Sequence, residues 1–148
     1  STSRGLGDVY KRQSLMYFKR NEDEAPSWSV DIGFAKGDYN GEEILPSLCI
    51  NPIDTKKESI ADLVGESFSV MTTDESYDRE DSFYIYEHEP LADYKLEILE
   101  IDSDKAHIKC SGTLIVDGYK EPPIKEKFEI DSWIPVIESV KDWEKFGL

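Results

Sequence analysis

Residues 94–130 read YKLEILEIDSDKAHIKCSGTLIVDGYKEPPIKEKFEI, and this stretch decides the fold class. Apolar or small residues occupy alternate positions in its centre, namely Ala106, Ile108, Cys110, Gly112, Leu114 and Val116. A period of two places one side of an extended strand against a core. Turn-forming residues at 102–105 interrupt the pattern. The stretch therefore predicts an antiparallel meander with strands at 94–101, 106–116 and 124–130.

A tight hairpin is predicted within this meander at Asp117-Gly118. Both central residues of a type I′ turn need a positive φ, which the Asp-Gly pair adopts readily. Pro122 and Pro123 follow, and they keep the start of the next strand away from a sheet interior because proline cannot donate to a ladder.

Working upstream, the same alternation recurs in Trp28, Val30, Ile32 and Phe34. Further strands are predicted at 16–19, 43–50, 68–72 and 83–88. Pro46 lies inside the second of these segments, so we expect that strand at a sheet edge or a bulge.

Two helices are expected beside the sheet. Residues 59–64 form a short one, with Ser59 as the cap and Gly65 at its end. Val136, Val140 and Trp143 recur at helical spacing after Pro135, which predicts a C-terminal amphipathic helix. The fold class is mainly β, with α+β possible: about seven strands in an antiparallel sheet, a partly open barrel or a sandwich.

The N-terminal segment stands apart from this pattern. Residues 8–13, DVYKRQ, resemble one reading frame of a transposon-end adapter used in preparing sequencing libraries. The resemblance implies that residues 1–13 are a foreign tail, and an ordinary disordered tail is the alternative. Residues 14–148 are expected to form a single domain.

The charge of the chain limits its partners. The net charge is −15, and the first 13 residues contribute +2, so residues 14–148 carry −17. Such acidity disfavours nucleic acid and anionic membranes, which both select Lys and Arg clusters. A basic protein partner fits better, although acidity also serves solubility alone.

Two further expectations concern the cellular location of the protein and whether its two cysteines are free or joined in a disulfide. No apolar stretch reaches the roughly 20 residues needed to span a bilayer, so a soluble protein of the bacterial cytoplasm is expected. Cys49 and Cys110 fall in predicted strands, which favours two buried free thiols over a disulfide.

The sequence contains no motif that would define a catalytic or metal centre. Glu87 and Glu89 would face away from His88 in a strand, which is poor geometry for one ion. The segment 74–82 is rich in carboxylates but lacks the spacing of an EF-hand. We therefore expect no metal, no cofactor and no catalytic residue; these expectations favour a protein that is not an enzyme and leave the question open.

The most suggestive surface combines this acidic segment, predicted as a loop, with the strand that follows. Tyrosines flanked by carboxylates make a good protein-binding surface. If Phe83 and Ile85 face the core, the side chains of the next positions face outward. The residues predicted to bind a partner are Asp74, Glu75, Tyr77, Asp78, Asp81, Tyr84, Tyr86 and His88. The alternative is that another element covers this tyrosine face.

Three functions remain open at this point. The first is a binding protein that masks a basic protein, as bacterial immunity proteins do with toxins. The second is a ligand-binding domain or small enzyme with a pocket in a curved sheet, lined by Trp28, Trp133, Tyr94 and Glu87. The third is a phage or envelope accessory domain that self-associates through the strand containing Pro46.

Overall fold

A computed structural model describes residues 9–21, 24–39, 41–85, 87–117, 119 and 121–138. Within these residues, nine strands form one mixed sheet that curls into a half-barrel, and two short strands form a separate hairpin. The mainly-β class expected from the sequence is confirmed.

The elements are defined as follows. The strands are β1 (Val9–Asn21), β2 (Glu24–Phe34), β3 (Gly37–Tyr39), β4 (Glu42–Ile44), β5 (Ser47–Asp54), β6 (Ser67–Val70), β7 (Ser82–Tyr84), β8 (His88–Glu89), β9 (Asp93–Asp102), β10 (Lys105–Asp117) and β11 (Ile124–Ile137). A single turn of 3-10 helix spans Ile60–Leu63, and one α-helix, α1, spans Thr73–Arg79. The large sheet has the order β6-β9-β10-β11-β1-β2-β5-β7-β8, and β3 pairs with β4.

The meander of β9, β10 and β11 is confirmed, with antiparallel pairing throughout. The alternate residues of β10 point into the core as predicted, and the side chains of Ala106, Ile108, Cys110, Leu114 and Val116 are buried. Gly112 has a separate role. A Cβ atom at this position would lie 2.2 Å from the carbonyl oxygen of Asp93, so a side chain there would force β9 and β10 apart.

The sheet is not purely antiparallel, because β1 pairs with β11 in parallel. Met16 lies opposite Val136 at this junction, and β1 then pairs antiparallel with β2. The strand that was expected to end at residue 130 continues to Ile137 and thereby supplies the partner for β1. The single parallel pair joins the meander to the β1-β2-β5 part of the sheet.

The C-terminal helix was predicted to begin at Pro135, and this start is wrong. Pro135 and Val136 belong to β11, where the alternation of buried residues continues through Ile130, Ile134 and Val136. The helical spacing of Val136, Val140 and Trp143 had assigned Val136 to a helix. Val136 also continues the period-two alternation of β11, and the structure shows that this second pattern applies. Residues 139–148, which contain the rest of the predicted helix, lie outside the described residues.

Two predicted local features are also corrected. β10 and β11 form the predicted hairpin, but Asp117 pairs with Ile124, so the connection is longer than a two-residue turn; Gly118 lies outside the described residues. Pro122 and Pro123 lack an N–H, which delays the ladder until Ile124. Pro46 lies in the connection before β5 and not inside a strand, and its carbonyl oxygen accepts a hydrogen bond from the Phe34 amide at 3.0 Å. β5 is not an edge strand, because it pairs with β2 on one side and β7 on the other.

The start of β1 bears on the predicted tail. Val9 pairs with Phe34 and Tyr10 with Gly33, so the backbone of residues 9–13 belongs to the sheet. Backbone pairing does not depend on where a segment came from, and the foreign origin of residues 1–13 stays a prediction. Residues 1–8 lie outside the described residues. In the described part of the chain, no helix combines the length and apolar character that crossing a membrane requires.

Candidate functional site

The carboxylate-rich segment predicted as a loop is the helix α1. The Thr72 side chain accepts a hydrogen bond from the Glu75 amide at 3.1 Å, and the Glu75 carboxylate accepts one from the Met71 amide at 3.0 Å. This reciprocal pair resembles a capping box. Glu80 ends the helix in the left-handed region, with φ of 61°. The spacing Thr72-x-x-Glu75 was the signal that the loop prediction missed.

The outer side of α1 carries the predicted acidic residues. Asp74, Glu75 and Asp78 are exposed. Tyr77 lies among them and is 71% exposed. On the inner side, Ser76 is fully buried, and its hydroxyl accepts a hydrogen bond from the Leu91 amide at 2.9 Å.

Asp81 does not share this exposure. Only 1% of the residue is accessible, and three groups donate to its carboxylate. The Tyr94 hydroxyl donates to Oδ2 at 2.5 Å, Arg79 Nε donates to Oδ2 at 2.8 Å, and the Asn51 amide donates to Oδ1 at 2.8 Å. A buried carboxylate requires such partners because its desolvation would otherwise be costly. The Asp81 carboxylate therefore has its hydrogen-bond donors within the protein.

Asn51 and Arg79 extend this network to β5 and β6. Arg79 Nη2 donates to the Asn51 carbonyl at 2.6 Å, and Asn51 Nδ2 donates to the Glu80 carbonyl at 2.6 Å. The Arg79 guanidinium also lies 4.6 Å from the centroid of the Phe68 ring. Together with the hydrogen bond from Tyr94 of β9 to Asp81, these contacts attach the C-terminal end of α1 to β5, β6 and β9.

The same buried carboxylate affects nearby weak acids. Burial first, and then the charge of Asp81, raises the pKa of Cys110 far above its usual range. Burial and a hydrogen bond to Asp81 raise the pKa of Tyr94 in the same direction. Burial, followed by the charge of Asp31, raises the pKa of Cys49 to about 12. Both cysteines are free thiols, as predicted, with Cys110 buried and Cys49 half-buried, and both are held as unreactive neutral thiols.

The strand predicted at 83–88 is two short strands joined by a turn. Tyr84 pairs with His88 across β7 and β8, and their ring centroids lie 5.0 Å apart. Phe83 and Ile85 are buried, as the alternation predicted. The turn returns His88 to the side of Tyr84, so the two meet as neighbours across strands and not along one strand. Tyr86 lies outside the described residues.

A groove forms where the end of α1 meets β7 and β8. Its volume is about 270 Å³, and it is lined by Tyr77, Glu80, Asp81, Ser82, His88, Glu89 and Pro90. Three predicted residues, Tyr77, Asp81 and His88, are thus brought together. Glu80 and Glu89 were missed, because their position depends on the left-handed cap and on the β7-β8 turn. We call this feature the Tyr77 groove.

A larger open groove of about 470 Å³ lies across β6, β9, β10 and β11. Its lining consists of Ser69, Val70, Met71, Asp93, Tyr94, Lys95, Ser111, Gly112, Lys127 and Phe128. Of the four residues proposed to line a pocket, only Tyr94 belongs to it. Trp28 is buried in the core, Glu87 is exposed, and Trp133 stacks on His107 with centroids 5.1 Å apart.

Among the described residues, no three His, Cys, Asp or Glu side chains are grouped closely enough to hold a metal ion.

Comparison with protein-family models, with curated proteins and with solved structures found no match for this chain.

Proposed function

We propose that this protein is a binding protein that masks a basic protein partner through one acidic face. We define the acidic face as the exposed side of α1, together with residues of the adjoining Tyr77 groove and with Tyr84, whose ring lies beside His88. Its residues are Asp74, Glu75, Tyr77, Asp78, Glu80, Tyr84 and His88. The observation that carries the proposal is an aromatic ring, Tyr77, exposed by 71% between the carboxylates of a short, fastened helix.

The electrostatics of this face support a cationic partner. The single basic residue of α1, Arg79, points inward and is neutralised by the buried Asp81 carboxylate. The exposed carboxylates of α1 therefore have no exposed basic residue on the same helix to neutralise them. Together with a charge of −17 over residues 14–148, this arrangement would accelerate association with a basic protein.

The fastening of α1 adds a second argument. A surface that is already held in its binding shape loses less conformational entropy on association. The Asp81 network and the Ser76–Leu91 hydrogen bond provide that rigidity from below. Rigid aromatic side chains at the centre of an interface supply most of its binding energy, which is the role we assign to Tyr77.

The mechanism we propose is occlusion. The carboxylates of Asp74, Glu75 and Asp78 would take the place of phosphates on a basic surface, while Tyr77 anchors the contact. Asp81 contributes from inside by holding the helix, and it does not touch the partner. Neutralisation of a basic toxin by an immunity protein is one case of such a function.

Calorimetry with an oligoarginine peptide tests the proposal. The substitutions Asp74→Asn, Glu75→Gln and Asp78→Asn remove three charges while keeping hydrogen-bonding groups at the helix start. The control combines Asp102→Asn, Glu121→Gln and Glu129→Gln, which remove three exposed charges elsewhere. We expect the acidic-face variant to lose about tenfold in affinity, since each of the three exposed charge pairs contributes about 0.5 kcal/mol. Equal losses in the two variants would overturn the proposal.

A further inference from the structure

We propose that the Tyr77 groove takes one arginine side chain of the partner as its anchor. The inference rests on the proposed function and narrows it to the chemistry of a single contact. It assigns the groove to a planar guanidinium, in preference to a lysine ammonium, a metal ion or an anion.

The first argument is the composition of the groove. The exposed phenol ring of Tyr77 offers an aromatic surface, and Glu80 is an exposed carboxylate in the same lining. A guanidinium group can lie over an aromatic ring while its N–H groups reach a carboxylate. An anion would meet carboxylates and no unpaired cation of α1, so the groove selects positive charge.

The second argument is that the protein already uses this arrangement once. The Arg79 guanidinium lies 4.6 Å from the Phe68 ring centroid and pairs with the Asp81 carboxylate at 2.8 Å. Asp81 is also one of the residues that line the groove. An aromatic ring and a carboxylate thus hold an internal arginine, and Tyr77 with Glu80 offer an exposed ring and an exposed carboxylate in the lining of the groove.

The third argument identifies the carboxylate that the arginine side chain of the partner would contact. The Asp81 oxygens already accept hydrogen bonds from Tyr94, Arg79 and Asn51, so the incoming guanidinium is directed to another carboxylate of the groove. Glu80 offers such a carboxylate, because it is exposed, lines the groove and ends α1 in the left-handed conformation. Arginine suits such an exposed site better than lysine does. Its guanidinium is planar and weakly hydrated, whereas the lysine ammonium is a compact and strongly hydrated point charge.

The test is an NMR titration of the full chain with a blocked Gly-Arg-Gly tripeptide. The matched peptides carry lysine or the neutral isostere citrulline in place of arginine. We expect the arginine peptide to shift the amides of residues 77, 80, 82 and 89. Its affinity should exceed that of the lysine peptide several-fold, and citrulline should leave these amides unmoved. Equal affinity for the arginine and lysine peptides would overturn the proposal.

Two variants locate the contact. Tyr77→Ala should weaken the arginine peptide about threefold, as expected for an exposed cation–π contact of 0.5–1 kcal/mol. Tyr119→Ala is the control, because it removes a ring that is 80% exposed outside the groove. Glu80→Gln should weaken the peptide as well. Unchanged affinity in both Tyr77→Ala and Glu80→Gln would overturn the arginine anchor. Loss of oligoarginine binding in the acidic-face variant would then show that the broader proposed function survives without it.

Discussion

The Asp81 carboxylate accepts hydrogen bonds from the Tyr94 hydroxyl at 2.5 Å and from Arg79 Nε at 2.8 Å, in a site that solvent does not reach. Tyr94 belongs to β9 and Arg79 ends α1, so one carboxylate connects the helix of the proposed binding face to the central meander. The position of Tyr77 in solvent depends on this connection.

Removing the Asp81 carboxylate is expected to destabilise the fold. Asp81→Ala leaves Arg79, Tyr94 and the Asn51 amide without their acceptor, and breaking a buried ion pair from one side costs about 3 kcal/mol. Asp81→Asn keeps the volume and one acceptor oxygen, so its loss should be smaller. Urea unfolding followed by tryptophan fluorescence measures both.

Asp78→Ala is the matched control for these variants, since Asp78 is an exposed residue of the same helix. Its free energy of unfolding should stay within about 0.5 kcal/mol of the parent protein. A comparable cost for Asp81→Ala and Asp78→Ala would contradict the structural role of Asp81.

Stability is also expected to fall at alkaline pH. The thiol of Cys49 has a pKa of about 12 in the folded protein against 9.0 as its ordinary value, and Cys110 and Tyr94 are raised in the same direction. Between these values the unfolded chain releases protons that the folded protein retains. The stabilisation is thus complete below pH 9 and is lost as the pH rises toward 12.

The contribution of one thiol can be isolated. From pH 8 to pH 10 the parent protein should lose about 1 kcal/mol more stability than Cys49→Ser, after allowance for partial solvent screening at this half-buried site. Urea midpoints at the two pH values give the comparison. An identical fall in the two proteins would show that Cys49 titrates as it does in the unfolded chain.

Gly112, the glycine of β10, is expected to tolerate substitution poorly. The Cβ atom of Gly112→Ala would lie 2.2 Å from the Asp93 carbonyl oxygen and 2.6 Å from the Tyr94 Cα. Backbone atoms cannot yield as a flexible side chain can, so we expect a loss of about 3 kcal/mol or failure to fold. Gly37→Ala, whose Cβ atom meets nothing within 4 Å, should be nearly neutral in thermal unfolding. Similar melting temperatures for the two variants would contradict the close approach of β9 and β10.

Much of the sheet could be predicted because its information is local. The alternation around Ile108 and Ile32 identified strands with one buried face, and both residues are buried. The parallel pairing of Met16 with Val136 could not be predicted in this way, because it joins residues 120 positions apart and has no local pattern.

The candidate site was predictable only in part. The density of carboxylates drew attention to residues 74–81, but acidity says nothing about burial. Asp81 is buried because its partners Asn51 and Tyr94 arrive from β5 and β9, which lie 30 and 13 residues away. The acidic composition was taken for a loop, although Thr72 and Glu75 carry the spacing of a helix start.

The helix start gives one more prediction. Thr72→Ala removes the acceptor for the Glu75 amide and should destabilise α1 by about 1 kcal/mol. Amide hydrogen exchange of residues 75–79 should accelerate by a factor of about five, while exchange in β10 stays unchanged unless global unfolding dominates there. Unchanged exchange in the helix would indicate that the cap contributes nothing.

The central claim is that a basic partner binds at the acidic face, and the most direct measurement is a map of where an oligoarginine peptide binds. The full chain, labelled with ¹⁵N, is titrated with the peptide at physiological ionic strength, and amide shifts are assigned. Our account predicts that the largest shifts cluster at residues 73–80 and 82–89. Shifts distributed over carboxylates all round the molecule, or centred on Glu97 of β9 and Glu129 of β11, would contradict it.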